Sequence, residues 1–194
     1  MTRWYWAVSC DNTVEDPLVV DSADLEVDPG RLDVGQPQEG WSDLAWLRAE
    51  KPENDGTPDD ALQNHLGLPV YSFRLRSALE AAGIRGIQYL PVRLFRPNGQ
   101  EIAGFSIANI VERRGALDRS RSDYDVFPND YFLSERRGDV RGIRRVVLHV
   151  EALRGCDIAR LDEFPSSVYV SERFKNVFES APFTGYSFRE MHST

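Results

Sequence analysis

The side chains that most often perform acid–base or metal chemistry are few in this sequence and widely separated. The three histidines are His65, His149 and His192, and none belongs to a doublet with metal-ligand spacing. His149 alternates with Val147 in a predicted strand, where we interpret it as a hydrogen-bonded histidine. The chain contains no nucleophile elbow, phosphate-cradling loop or dinucleotide fingerprint. The sequence therefore predicts no catalytic residue, no metal site and no cofactor.

The two cysteines, Cys10 and Cys156, are too few for a disulfide framework and lack metal-type spacing. Cys156 follows Gly155 and could act as a thiol nucleophile, but we interpret it as a small buried filler. A chain without disulfides is typical of a reducing compartment, so we predict a cytoplasmic protein. The first six residues, MTRWYW, carry no long apolar stretch or cleavage signature, and secretion is not expected.

Carboxylates are so abundant that one pair of them carries little information. The chain has 31 Asp and Glu residues, and a chance neighbourhood of two does not indicate acid–base catalysis. Asp123, Tyr124 and Asp125 are loop residues among which a small, cofactor-free active site could lie. We keep them as the candidates for an enzymatic alternative.

Two arginines, Arg74 and Arg173, occupy equivalent and locally unfavourable positions. Each lies in the first turn of a predicted helix, where the helix dipole disfavours a cation by roughly 0.3–1 kcal/mol. The recurrence of this choice predicts a specific acceptor for each guanidinium group. We expect a carboxylate or a set of backbone carbonyls in a neighbouring loop, and the alternative is an anion-binding site.

Both arginines belong to a repeat around which the chain is organised. When the sequence is shifted by 99 positions, residues 72–86 align with residues 171–185 without a gap. Each copy has a serine in N-cap position, then apolar residues at helical spacing, then a glycine before a second apolar run. We predict two strand–helix–strand units, at 69–92 and 167–190. The residues that define the shared motif are Ser72, Arg74, Gly86, Ser171, Arg173 and Gly185.

The remaining pattern predicts an α+β fold with a mixed sheet. Aromatic and β-compatible residues predict a strand from Trp4 to Ser9, and residues 87–111 predict a β-hairpin. One or two helical turns are expected at 41–49. A further short helix is expected to start at Thr57-Pro58-Asp59-Asp60, because this order resembles an N-cap followed by proline and acids, and to end before Gly67.

Length and hydropathy are those of one globular domain, residues 1–194. The chain is 41% hydrophobic and 11% aromatic, which is enough to bury a sizeable core. No apolar run approaches the roughly 20 residues that span a bilayer.

Charge divides the domain into an acidic N-terminal half and a duplicated-unit half. Residues 1–70 hold 15 acidic and 4 basic residues, a balance of −11, whereas residues 71–194 hold 16 and 19, a balance of +3. An acidic chain repels nucleic acid and anionic lipid, so we predict neither nucleic acid nor membrane as a partner. The acidic half could steer a basic protein, and the alternative is a solubilising surface.

We place a partner-binding face in the acidic half, mainly between residues 21 and 41. Its predicted members are Asp21, Asp24, Glu26, Asp28, Asp33, Glu39 and Trp41. All four tryptophans lie in this half, and tryptophan is enriched at interface hot spots. The alternative is that the tryptophans fill the core.

Several short motifs resemble a known family. Val-Tyr-Ser-Phe-Arg-Leu at 70–75 and its exit Gly-Ile-Gln-Tyr-Leu-Pro-Val at 86–92 resemble the immunity proteins of bacterial polymorphic toxin systems, specifically the large myxobacterial-type immunity family. The similarity runs from Trp4 to Glu190. Its other elements are the approach segment 35–41, Asn109, Ala116-Leu117-Asp118, Ser122 and Val170-Ser171-Glu172-Arg173.

The resemblance implies a small cytoplasmic protein that binds and neutralises a cognate toxin. On this interpretation the chain is not an enzyme: it would occlude the toxin's active site or substrate groove, and charge complementarity would speed capture. One alternative is a small enzyme that reverses the toxin's effect, and another is an adaptor domain. The sequence does not specify an oligomeric state.

Overall fold

The computed structural model describes residues 2–9 and 12–194, so Cys10 lies outside the described residues. In the described part the α-helices are α1 (Pro29–Asp33), α2 (Phe73–Ala81) and α3 (Glu172–Glu179). Short 3-10 turns occur at Pro52–Asn54, Ser134–Arg136 and Val150–Leu153. The strands are β1 (Trp4–Ser9), β2 (Val19–Val20), β3 (Ser22–Asp24), β4 (Trp46–Arg48), β5 (Gln63–Asn64), β6 (Val70–Ser72), β7 (Ile87–Pro91), β8 (Arg93–Phe95), β9 (Glu101–Ile102), β10 (Phe105–Ile110), β11 (Arg113–Arg114), β12 (Asp123–Val126), β13 (Val140–Arg145), β14 (Val147–Leu148), β15 (Ile158–Leu161), β16 (Val168–Ser171), β17 (Tyr186–Glu190) and β18 (His192–Ser193). The predicted α+β class is confirmed.

Both duplicated segments fold as strand–helix–strand units, as predicted. The first unit is β6, α2 and β7, and the second is β16, α3 and β17. In each unit a third strand lies between the other two and runs antiparallel to both. That middle strand is β10 in the first unit and β1 in the second.

The middle strands occupy the same register, although they come from different places in the chain. Phe105 of β10 pairs with Ser72, and Trp4 of β1 pairs with the equivalent Ser171. Strand β10 follows its unit in the sequence, whereas β1 opens the chain. The duplication therefore comprises three strands and a helix. A shift of 99 positions aligns the helix and the two outer strands but not the middle strand.

Two mixed sheets carry half of the remaining strands, and the other half form three two-stranded sheets. One has the order β11-β15-β16-β1-β17, with β11 parallel to β15. The other has the order β3-β4-β8-β9, with β4 parallel to β8. The predicted hairpin at 87–111 is present but divided between sheets, because β7 pairs with β10 while β8 pairs with β9.

Apolar side chains form three clusters, which we call the central, N-terminal and C-terminal cores. The central core receives the buried faces of both long helices: Leu75 and Leu79 of α2 meet Phe174 and Phe178 of α3. Burying a side chain of this size contributes about 1.5–3 kcal/mol. The N-terminal core lies around β4 and β8 and includes Leu47 and Leu94. The C-terminal core lies around Trp4, Leu161 and Tyr169.

The helical turns predicted at 41–49 are wrong. Residues Trp46–Arg48 form β4, an inner strand of the four-stranded sheet that pairs with β3 on one side and β8 on the other. Two neighbouring strands satisfy its backbone groups, and Leu47 is fully buried between them. Tertiary pairing has overridden a weak local helical pattern.

The helix predicted to start at Thr57 is also wrong. The N–H of Thr57 donates to the carbonyl of Asp16 at 2.9 Å, and the N–H of Leu18 donates to the carbonyl of Thr57 at 2.8 Å. The carboxylates that suggested a helix start are buried acceptors instead, since Asp59 accepts the N–H of Val14 at 2.9 Å. The segment is extended as far as β5. Within residues 2–9 and 12–194, no helix has the length and hydropathy needed to cross a bilayer.

Candidate partner-binding surface

The three histidines are exposed, and His192 of β18 pairs with Val147, two residues before His149. His65 Nδ1 lies 3.5 Å from a carboxylate oxygen of Asp21, and His149 Nδ1 lies 3.0 Å from the hydroxyl of Thr194. His149 follows β14 and lies outside the strand in which the sequence analysis placed it. No group of three or more potential metal ligands comes together among the described residues.

The Cys156 thiol is half-buried and bonded locally. Its sulfur donates to the carbonyl of Leu153 at 3.1 Å. Burial raises the pKa of the Cys156 thiol, and a hydrogen bond with Arg114 opposes this effect without reversing it. A raised pKa disfavours the thiolate, which is the reactive form of a nucleophilic cysteine.

The loop candidates for an enzymatic site lie on an exposed strand and are tied to one arginine. Asp123 and Asp125 belong to β12, and Arg144 of the paired strand β13 bonds to both carboxylates. The distance from Arg144 Nη2 to Asp123 Oδ1 is 2.6 Å. Hydrogen bonds from Arg144 hold the pKa of Asp123 below its ordinary value. This arrangement stabilises the carboxylate form of Asp123 on an exposed strand.

Each duplicated helix starts at a cluster of an aspartate, a serine and an arginine. In the first unit Ser72 Oγ accepts the N–H of Leu75 at 3.1 Å and donates to Asp60 Oδ1 at 2.6 Å. Arg74 Nε donates to the same carboxylate oxygen at 3.1 Å. The carboxylate thus orders the N-cap and neutralises the arginine that the helix dipole disfavours.

The second unit repeats this cluster. Ser171 Oγ accepts the N–H of Phe174 at 3.2 Å and donates to Asp157 Oδ1 at 2.7 Å. Arg173 Nη1 donates to Asp157 Oδ2, also at 2.7 Å. The sequence analysis missed Asp157 and its counterpart Asp60, because they lie 14 and 12 residues before their serines and do not coincide under a shift of 99.

The two arginines also tie the units to each other. Arg74 Nη2 donates to the carbonyl of Pro182, just after α3, at 3.0 Å. Arg173 Nη2 donates to the carbonyl of Ala82, just after α2. The acceptors are therefore a carboxylate and a carbonyl in each case. Shared architecture, and not an anion ligand, accounts for both arginines.

Residues that carried the family resemblance likewise hold the scaffold together. Buried Asn109 donates to the carbonyl of Gln36 at 2.9 Å and to the Gln88 side chain at 3.1 Å. Buried Asp118 accepts the hydroxyl of Ser120 at 2.6 Å. These residues fix loops against strands.

The predicted acidic face divides into engaged and exposed side chains. Asp21 is nearly buried and accepts the Asn54 amide at 2.8 Å. Burial raises the pKa of Asp21, but hydrogen bonds from Asn54, Glu50 and Lys51 outweigh burial and the net pKa is lowered. Asp33 Oδ1 lies 4.0 Å from Nη1 of buried Arg160. Both carboxylates therefore interact with groups of the protein itself.

Trp41 is anchored as well, because its indole N–H donates to the carbonyl of Pro91 at 2.8 Å and its ring packs against the N-terminal core. Trp4 is buried in the C-terminal core, whereas Trp6 is 36% exposed beneath Arg189. Trp46 is half-buried beside Arg48. The tryptophans do not share one surface.

The remaining carboxylates of the segment 21–43, which we call the acidic segment, are exposed. This segment holds seven acidic residues and one base, Arg31. Five of the acids form no ion pair with any described residue and lie on the surface. They are Asp24, Glu26, Asp28, Glu39 and Asp43. The N-cap oxygen of Asp28 does accept the N–H of Gly30 at 2.9 Å. The acidic segment therefore presents uncompensated negative charge.

A second exposed feature is the β12–β13 hairpin. Its connection stacks Phe127, Tyr131 and Phe132, with ring centroids 4.5–4.6 Å apart between neighbours. Phe132 is 76% exposed, and Arg136 covers the ring of Phe127. The sequence analysis did not single out these aromatics, although three aromatic residues in a polar stretch were a readable signal.

Comparison with known families gives one match. The model of the family described as "Immunity protein family (Imm11)" matches residues 8–193, nearly the whole chain. No curated protein matches the sequence.

Proposed function

The chain belongs to the immunity protein family Imm11, and on that premise we propose that it binds and neutralises a cognate bacterial toxin without catalysis of its own. The family match over residues 8–193 carries the proposal. The resemblance found in the sequence points to polymorphic toxin systems, in which the producing cell is protected in its cytoplasm. Nucleic acid and membrane are not part of the proposed mechanism.

Occlusion is the mechanism that the side chains support best. Cys156 has a raised thiol pKa, and Asp123 and Asp125 are held by Arg144 on an open strand. None of these arrangements resembles a nucleophile beside a base or an acid in a recess. A rigid α+β scaffold whose loops are pinned by buried polar groups is suited to presenting a preformed surface.

We assign the toxin-facing role to the exposed carboxylates of the acidic segment. A cluster of uncompensated negative charge attracts a basic partner and raises its rate of association. The expected toxin surface is therefore basic. The aromatic tip of the β12–β13 hairpin is the competing location for the contact, because exposed aromatic groups are common anchors of interfaces.

Titration of toxin activity tests the proposal and separates it from enzymatic reversal. The product of the reading frame adjacent to that of this chain is purified as the candidate toxin, and its activity is measured at increasing ratios of this chain. Occlusion predicts inhibition that is complete near one chain per toxin and a complex that co-elutes in gel filtration. Protection by much less than one equivalent, without a stable complex, would instead establish catalysis.

A further inference from the structure

A recess of about 290 Å³ lies where segment 61–70 meets β1 and β16. Arg160 is the only charged residue among the described residues that line it. The polar residues that line it include Asn64, Ser166 and Ser167. Its apolar lining includes Leu68 and Val70. Among the described residues that line the recess no carboxylate accompanies this cation, and such a lining favours an anion.

Arg160 is almost completely buried, at 1% exposure, yet it has no close carboxylate partner. Its nearest acid is Asp33, with 4.0 Å between Nη1 and Oδ1, and Asp33 is itself 35% exposed. Two carbonyls accept from the guanidinium group, that of Pro165 at 2.6 Å and that of Leu32 at 3.5 Å. Arg160 Nε has no hydrogen-bond partner within the part of the chain that the structure describes.

A buried guanidinium group is costly unless an anion and hydrogen bonds compensate it. Burial lowers the pKa of Arg160, and the carboxylate of Asp33 opposes this effect only in part. Carbonyl dipoles and one distant carboxylate leave part of the positive charge of Arg160, a residue that lines the recess, uncompensated. A bound carboxylate would supply the missing charge and an acceptor.

We propose that this recess binds a carboxylate attached to a small apolar body, with Arg160 as its counter-ion. A volume of about 290 Å³ suits a small organic acid. The carboxyl terminus of a peptide ending in an aliphatic residue has the same chemistry. The hydroxyl of exposed Ser166 is available to the carboxylate, and the side chains of Leu68 and Val70 are available to the apolar part. This proposal does not depend on the proposed function.

Thermal unfolding with sodium butyrate, at constant ionic strength against sodium chloride, tests the site. A ligand that binds only the folded state raises the unfolding midpoint in a saturable manner. We expect Arg160→Met to weaken the affinity at least about tenfold, since a charge-assisted hydrogen bond is lost. Should this variant not fold, Ser166→Trp is the second test, because it fills the recess from an exposed position. Ser134→Trp, in a 3-10 turn that does not line the recess, is the matched control and should bind as the wild type does.

The source of the carboxylate is decided by a second probe. An aliphatic pentapeptide ending in a free valine carboxylate is compared with the same peptide amidated at its terminus. Tighter binding of the free peptide than of butyrate, with no binding of the amide, identifies a protein terminus as the ligand. Tighter binding of butyrate identifies a free organic acid. The proposal is overturned if neither probe gives a saturable shift, or if Ser166→Trp and Ser134→Trp bind equally well.

Discussion

At the scale of single residues, the two N-cap serines each serve two groups at once. Ser72 Oγ accepts the N–H of Leu75 and donates to Asp60, and Ser171 does the same for Phe174 and Asp157. A local capping interaction is thus coupled to a carboxylate brought from an earlier loop. Loss of the hydroxyl removes both connections.

We expect Ser72→Ala and Ser171→Ala each to lower the free energy of unfolding by about 0.5–2 kcal/mol. The measurement is the urea midpoint of each variant, with the slope of the transition fixed by a global fit. Ser77→Ala, inside α2, is the matched control and should lose nothing, because alanine has the higher helix propensity. Equal midpoints for all three variants would show that the hydroxyls contribute no cap.

Asp118 predicts a pH dependence of stability. It is 3% exposed, and its Oδ1 accepts the Ser120 hydroxyl at 2.6 Å and the N–H groups of Ser120 and Arg121 at 3.0 and 3.2 Å. The hydrogen bond from the Ser120 side chain is the main cause that holds the pKa of Asp118 below its ordinary value. A depressed carboxylate pKa contributes stability that is present above the unfolded pKa of about 3.9 and is lost as pH falls through the folded pKa.

Thermal unfolding midpoints from neutral pH to pH about 2 check this dependence. Asp118→Asn should start less stable and decline less steeply on the acid side than the wild type. Ser120→Ala removes only the strongest donor, so its acid slope should be intermediate. Three parallel curves would mean that Asp118 does not couple protonation to folding.

At the scale of elements, the exit of each duplicated helix depends on a glycine. Gly86 and Gly185 have φ values of +89° and +101°, a region of backbone conformation that residues other than glycine rarely adopt. A Cβ on Gly185 would lie 2.1 Å from the carbonyl oxygen of Ala61. The backbone of segment 61–70 can approach the second unit only because this position has no side chain.

We expect Gly185→Ala to destabilise the protein more than Gly99→Ala does. Gly99 also has a positive φ, +82°, but a Cβ there meets no atom of the described chain within 4 Å. Gly99→Ala should therefore show the conformational cost alone, about 1–2 kcal/mol. The collision at Gly185 should add about 1–3 kcal/mol. Urea midpoints of the two variants decide the comparison, and similar losses would contradict a steric role for Gly185.

At the scale of the whole molecule, the exposed negative charge and the duplicated units lie in different parts of the fold. The chain's first strand, β1, completes the second unit, so the two ends of the described chain meet in one sheet. The acidic segment lies instead around the N-terminal core, where Val27 and Trp41 pack. The negative surface is thus carried by a part of the fold that the duplication does not build.

Neutralising four exposed acids of the acidic segment should slow toxin association. The substitutions are Asp24→Asn, Glu26→Gln, Asp28→Asn and Glu39→Gln. Asparagine retains the oxygen with which Asp28 caps α1, so the stability should change little. At low ionic strength we expect association to slow by about tenfold and its salt dependence to weaken. Stopped-flow or surface-based association rates across a salt series measure both quantities.

The control changes the same number of exposed acids outside the acidic segment, three of them in the connection between β12 and β13. Its substitutions are Asp130→Asn, Glu135→Gln, Asp139→Asn and Glu151→Gln. If the acidic segment faces the toxin, this control keeps the wild-type rate and salt slope. An effect confined to the control would move the interface to the hairpin.

Much of the duplicated architecture was readable from the sequence by itself. Helix α2 and its N-cap Ser72 depend largely on residue types and contacts within a few positions of the chain, so the sequence pattern is enough to predict them. Recurrence at a constant shift made the second unit as clear as the first. The family resemblance rested on the same local motifs.

Only the tertiary structure decided which segments without strong local signals became strands and which carboxylates remained on the surface. Segment 57–60 has the residues of a helix start, but its carboxylates are more strongly engaged as buried acceptors for Val14, Ser72 and Arg74. Among the acids predicted to form one face, Asp21 turned inward to accept the Asn54 amide, and Asp33 is half-buried with its Oδ1 4.0 Å from Arg160 Nη1. Pairing between distant strands and hydrogen bonding between distant groups outweigh local propensity, because an unsatisfied buried polar group costs more than a propensity difference.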